Sequence, residues 1–528
     1  MMLCSYDITA VEQWPDDAIR WPTSVEDAHA LNKALISGVV AIAGQESDTA
    51  SRTAFMLAAP VLDVTVLTLC MTWLTWRRAE ALGIKFRFQR PGLVRTLCEG
   101  GIMDGAFFSR EIENRMQRNA MPQKHSWLRS AAHGLMTNRR PVLPWEQRTG
   151  VFNHNTMLQG MARADRQRHF TYLMTDQVFR HHRAGDLPEA PASVQKRLTE
   201  MVEALTARVL PVLEALGGGD LAPLRQVMLQ SCSAFLAEVA RYDAALSRAW
   251  RDVPAELWTG TGGNLMTRLL RLAVQREGGT VTGFDHGGGC HIHANLMPFQ
   301  VNELAFCDRF IVDAPAKAEI LSRGISREGS LDGAMPRIDA TSGPRASWPF
   351  RKGQGAQPPK RVMYVTTAFV GEMQYPLQPL LPDPVYADWQ GRLVDGLAGQ
   401  GLEVLVKQHP EGLRRGVPLK RSQAGEFLGG RFGDVMDQAD AFVLDYPATS
   451  TLWEAICSEK PVVFIDHHLA HWNPEVWQDF SARCAIVPSR MDEDGRPQVD
   501  FAEVAAALQT APDDGGAFAR KYLLAEQG

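Results

Sequence analysis

The chain predicts an α/β protein in which two β/α domains face a cleft, with a largely helical N-terminal elaboration. Three observations carry this. From about residue 255, short apolar runs alternate with amphipathic helical stretches, as parallel β/α units do. A non-periodic segment over 341–360, rich in Ser, Gly, Pro, Lys and Arg, divides that alternation in two and reads as a linker. The chain has 528 residues, too many for one ordinary core.

Residues 1–250 are expected to be mostly helical, because apolar residues recur at helical spacing through 54–82, 155–180, 195–215 and 221–248. Ile84 to Phe88 alternates like a strand, and Arg139 to Trp145 reads as a basic loop. In 251–340, Glu256-Leu257-Trp258, Thr280 to Phe284 and Phe310 to Val312 are strand candidates. Leu265 to Arg276 and Ala316 to Arg323 are the matching helices. The second β/α domain spans 361–510. Its expected strands are Arg361 to Thr366, Leu402 to Val406, Ala441 to Leu444 and Pro461 to Ile465. Its helices are Tyr386 to Gly399, Phe432 to Gln438, Thr451 to Ser458 and Val499 to Gln509. Residues 511–528 form a tail or a last helix. Phe55 to Trp76 is long enough to cross a bilayer, but it contains Pro60 and Asp63, and an intramembrane carboxylate is costly. A buried helix is the expectation.

Composition narrows the function classes. A hydrophobic share of 45% and a charged share of 22% are those of a soluble globular protein. The net charge of -5 offers no overall field to recruit nucleic acid. Eight scattered cysteines without a CxxC pair read as reduced thiols. The acidic start (Asp7, Glu12, Asp16, Asp17) does not look like a secretory leader. A cytoplasmic protein is expected, with the inner face of the membrane a compatible place of work.

The chemistry concentrates at two strand ends. Lys407-Gln408-His409-Pro410 follows an apolar run, and Asp445-Tyr446-Pro447-Ala448-Thr449-Ser450-Thr451 follows another and opens a helix. A cation, an imidazole, three hydroxyls and free helix N–H groups suit a phosphate. Glu454, one turn on, can accept from ribose hydroxyls or close a capping box with Thr451. Local capping alone explains the second motif; it does not explain His409. A third turn, Gly283-Phe284-Asp285-His286-Gly287-Gly288-Gly289, ends a strand of the first domain, and its glycines permit close ligand approach. Asp285 or His286 can act there as a base, or Asp285 as a carboxylate nucleophile. Thr259-Gly260-Thr261-Gly262-Gly263-Asn264 lacks the spacing of a dinucleotide fingerprint; it is either a tight turn or a backbone contact to substrate. Cys290, His291 and His293, and separately His467, His468 and His471, form incomplete ligand sets, so no metal is expected. His467 and His468 are expected on a loop near the cradle.

Together the Lys-x-His-Pro turn, the Asp-x-Pro-x-Thr-Ser-Thr-x-x-Glu-Ala run from Asp445 and Lys460-Pro461-Val462 resemble the donor domain of bacterial GT-B glycosyltransferases. The likeness is to capsule and lipopolysaccharide enzymes that use CMP-activated ulosonic acids, and to CDP-glycerol polymerases. It covers about 255–510 and implies two Rossmann-like domains. It also implies a nucleotide-sugar donor, a glycan or lipid-linked acceptor, and phosphate contacts from His409, Thr449 and Ser450. His286-Gly287 is similar to a histidine-glycine turn of such enzymes. Asp285-His286-Gly287 resembles the acidic-x-Gly motif whose aspartate is the base in GT-B sialyltransferases. The resemblance thus implies Asp285 as base, His286 beside the phosphate, and no cofactor. Two rivals share the architecture: a nucleotide-sugar 2-epimerase, whose Asp-Ser-Gly-Gly turn this chain lacks, and a non-catalytic glycan-binding protein.

Overall fold

A computed structural model describes residues 3–5, 20–87, 92–100, 126–138, 148–174, 188–250, 252–330, 333–341, 350–351, 358–371, 373–374, 379–409 and 424–524. The Arg139–Trp145 loop, most of the linker and Pro410 lie outside these residues.

Two six-stranded, wholly parallel sheets form the frame. In the first, the spatial order is His169–Tyr172, Arg148–Phe152, Glu256–Thr259, Thr280–Phe284, Arg309–Val312 and Arg337–Ala340. The chain starts at Arg148–Phe152, adds one strand outward, then returns to build on the other side. In the second sheet the order is Gly425–Leu428, Glu403–Lys407, Arg361–Val365, Ala441–Leu444, Val462–Asp466 and Ala485–Pro488. Here the reversal falls between Arg361–Val365 and Ala441–Leu444. Parallel sheets of this kind open a crevice beyond their strand C-termini at the point of reversal. Both sheets are Rossmann-like.

The helices expected over 54–82, 195–215 and 221–248 are present. Thr49–Ala81 and Val25–Gln45 pack with Ala192–Ala215 and Ala222–Ala249 into a layer against Leu265–Arg276. Thr49–Ala81 is apolar enough to cross a membrane, but 89% of its most apolar window is buried within the protein. Asp63 is buried on it facing Arg268, and burial pushes its carboxyl up to about 8 against the pull of that guanidinium.

The N-terminal stretch is not purely helical. Periodicity predicts helix through 155–180, yet Thr156–Ala164 ends at Asp165, which accepts from Gln167 and Arg168 N–H groups, and His169–Tyr172 is a strand. Trp21, Val25, Ala79 and Ile84 pack into the core of the second domain beside Trp389 and Tyr364. The helical layer therefore braces both domains. At the other end, Ala517–Tyr522 packs against Pro315–Gly324 of the first domain.

Candidate functional site

The two sheets turn their strand C-termini toward one cleft of about 720 Å³. The second domain lines it with Val365, Thr366, Lys407, Gln408 and His409, with the 430–434 loop, and with Thr449, Ser450, Thr451 and Glu454. Facing them in the first domain are Asn155 to Met157, Gln159, Arg163, Asp285, His286, Gly288 and Asp313. The two motif turns of the second domain and the glycine turn of the first thus meet in a single space.

Lys407 ends a strand whose last four residues are buried, and its ammonium donates to the Gln408 carbonyl at 2.9 Å. Burial lowers its pKa from the usual lysine range. The next strand, Arg361–Val365, leads to Thr366, whose hydroxyl accepts from the His409 N–H at 3.2 Å. Thr366 thereby fixes the backbone of the histidine turn, a role the sequence reading did not assign.

Thr449 caps the helix Ser450–Ile456: its hydroxyl accepts from the Thr451 N–H and pairs with the Thr451 hydroxyl at 2.7 Å. The capping box between Thr451 and Glu454 is not formed, because the helix begins one residue earlier than expected. Glu454 instead lies against the 430–434 loop: a Cβ on Gly433 would sit 2.3 Å from its Oε1. Burial raises the Glu454 carboxyl, with Arg351 and Arg431 pulling the other way. With only seven residues, this helix offers little macrodipole; the hydroxyls and nearby cations matter more.

Asp445 lies on the far side of its strand end, buried in the core. It accepts from Tyr364 Oη at 2.6 Å, Tyr386 Oη at 3.0 Å and Trp389 Nε1 at 2.9 Å. Tyr386 Oη in turn accepts from Thr367 N–H at 2.9 Å. This network anchors the 366–367 turn on which His409 rests. Among the described residues no cation bonds the carboxylate, and burial raises its pKa to about 6.

Across the cleft, Asp285 follows Thr280–Phe284 and is almost wholly buried, whereas His286 is exposed at the rim. Behind the turn lies Lys317, fully buried. Its ammonium donates to Asp313 Oδ2 at 2.8 Å and the Gly288 carbonyl at 2.6 Å, and sits 3.6 Å from Asp285 Oδ2. Two carboxylates and one ammonium leave a group of formal charge -1. Of the three glycines, only Gly288 adopts a positive φ (+75°). Gly289 packs against the Trp453 indole of the second domain.

Asn155 joins this wall together. Its side-chain amide donates to the carbonyls of Gly260, Phe284 and Asp285, and its oxygen caps Thr156–Ala164 through the Leu158 N–H. Gly260 is needed for that crossing: a Cβ there would stand 2.1 Å from the Asn153 carbonyl oxygen. Thr261 and Gly262 donate to the Glu303 carboxylate, and Gly260 and Gly262 are buried. Gly260, Thr261, Gly262 and Gly263 therefore form a tight structural turn and do not line the cleft. Gly287 is open on its Cβ side but is also absent from the lining.

The histidines and cysteine near these turns are taken up by packing. Cys290 donates to Asp285, and His291 stacks on Tyr522 at 4.9 Å. His293 is half-buried and pairs through its backbone with Trp472, and desolvation lowers its pKa to about 4. His467 bonds Ser489 and is buried, away from the cradle. Among the described residues, no three His, Cys, Asp or Glu side chains gather as a metal site.

Four basic side chains (Arg163, Arg351, Lys407, Arg431) and four carboxylates (Asp285, Asp313, Asp434, Glu454) line the cleft. Asp313, Thr366, Arg351, Arg431 and Asn155, with Lys317 behind them, are additions to the sequence-derived set. Asp313 had a visible signal, since it directly follows an expected strand. No protein-family model and no curated protein sequence matches the chain.

Proposed function

We propose that the protein is a GT-B-like glycosyltransferase. It would move a sugar from a nucleotide donor, with a CMP-activated ulosonic acid favoured, to a surface-glycan, lipid-linked or protein acceptor. The observation that supports this reading is the convergence of Lys407–His409, Thr449–Thr451 and Asp285 on one cleft. Lys407, His409 and the hydroxyls supply donors to a departing phosphate, which keeps the electron pair of the broken C–O bond. Asp285 takes the proton of the acceptor hydroxyl whose oxygen bonds the anomeric carbon. Lys317 compensates the buried charge behind it and fixes the turn. Side chains supply the phosphate contacts in this scheme, and no cofactor takes part.

A thermal-shift screen against CMP, CDP, UDP and GDP should show stabilisation by one base in preference to the others. His409→Ala should weaken that binding, while Asp285→Ala should keep it and abolish transfer. Unchanged nucleotide affinity in His409→Ala would refute the role given to the imidazole. Turnover of a nucleotide-sugar without acceptor would favour an epimerase instead.

A further inference from the structure

We infer that the helix Ser126–Asn138 docks the protein on an anionic lipid bilayer beside the cleft. The helix is inverted. Leu128, Ala131, Ala132, Leu135 and Met136 follow the i, i+3, i+4 spacing of a core-facing stripe, yet all five are exposed. Three of the six exposed large hydrophobic side chains among the described residues lie on this one helix, at 46%, 58% and 57% exposure for Leu128, Leu135 and Met136.

Its polar face is the one that packs. Thr137 Oγ1 bonds Tyr172 Oη at 2.9 Å, Asn138 exchanges two hydrogen bonds with the Phe170 backbone, and His133 stacks on Tyr172. A helix that turns its apolar stripe outward needs an apolar partner.

Charge selects the partner. From 114 to 140 the sequence contains Arg115, Arg118, Lys124, Arg129, Arg139 and Arg140 and no acidic residue, in a chain of net charge -5. The adjoining helix Thr156–Ala164 and the turn after it add exposed Arg163 and Arg166. An exposed apolar stripe with Arg163 and Arg166 exposed on the neighbouring element, within a basic stretch of sequence, matches the acyl–headgroup boundary of an anionic leaflet. The same neighbouring helix lines the cleft through Thr156, Gln159 and Arg163, so docking would set the cleft mouth against the bilayer. This inference does not depend on the transfer reading.

The test is co-sedimentation of the full chain with phosphatidylcholine vesicles, with and without about one-third phosphatidylglycerol. Wild type should bind the anionic vesicles, weaken in high salt, and bind neutral vesicles poorly. Leu135→Glu/Met136→Glu should lower binding at least about tenfold, because it replaces inserted apolar surface with repelled charge. Arg166→Glu should weaken binding at low salt more than at high salt. Equal binding by the double variant would overturn the proposal. So would a wild-type dimer that the double variant splits in sedimentation velocity, since the face would then belong to a second copy. A large loss of unfolding stability in that variant would overturn it too, since the face would then be covered by the chain itself.

Discussion

Asp445→Asn tests whether the floor of the cleft rests on a buried carboxylate. Asp445 is fully buried, receives three neutral donors, and has a pKa raised from 3.8 to about 6 by that burial. The folded protein therefore holds this proton more tightly than the unfolded chain does. The stability contributed by the group is full below pH 3.8 and is lost as pH rises through about 6. About two pKa units at 1.36 kcal/mol each give a loss of about 3 kcal/mol. Asparagine keeps the shape and cannot ionise, so the variant should lack this slope. Denaturant unfolding of both proteins across acidic to neutral pH reads it directly. The stability of wild type relative to the variant should fall by up to about 3 kcal/mol as pH rises from about 4 to 7. A constant difference across that window would mean that Asp445 does not titrate there, and the reasoning would fail. Under the proposed function the variant should also bind nucleotide more weakly, because Tyr386 holds Thr367, next to the residue that fixes His409.

Lys317→Met removes the ammonium that the buried Asp313 and Asp285 share, and should cost about 3–5 kcal/mol by chemical denaturation. Adding Asp313→Asn should restore much of that; no restoration would break the pairing argument. Gly260→Ala should destabilise by about 1–3 kcal/mol, because its Cβ meets backbone and not a movable side chain. Gly287→Ala, with nothing within 4 Å of its Cβ, should unfold like wild type.

Some of this was legible in the residues, and the reason lies in burial. Ala441–Leu444 and Val462–Asp466 are central strands buried along their whole length, so they read as unbroken apolar runs. Gly425–Leu428 is an edge strand with exposed or half-buried positions and no such run marks it, whereas the other edge, Ala485–Pro488, has only the short run Ala485-Ile486-Val487 before Pro488. Arg148–Phe152 opens with Arg-Thr-Gly; its Gly150 lies under Pro254 and Leu257, a fit that only the tertiary structure displays. His409, Thr449 and Asp285 stood out because their chemistry exceeds what a turn requires. Lys317 did not, because a lysine four residues after Asp313 looks like any surface ion pair until burial makes it scarce. The glycine-rich turn at 260–263 left two readings open, and close approach is real there: the approaching group is the chain's own Asn153–Asn155 backbone.

The contacts between domains bear on how the cleft works. Gly289, next to the cleft-lining Gly288, packs on the Trp453 indole, and Trp453 stands on the helix whose first turn carries Ser450 and Thr451. Asn473 and Ala294 N–H groups donate across the domain boundary to Ile292 and His471 carbonyls. Trp21 and Ala79 of the helical layer sit inside the second domain's core. Swinging the domains apart would expose Ile292, Trp453 and Tyr522 together and leave His291, whose pKa burial holds well below the usual range, free to charge. That exposed apolar area is costly. The opposition of Asp285 to His409 is thus set by packing before any ligand arrives, which is what the proposed transfer, with a base held against a departing phosphate, would require.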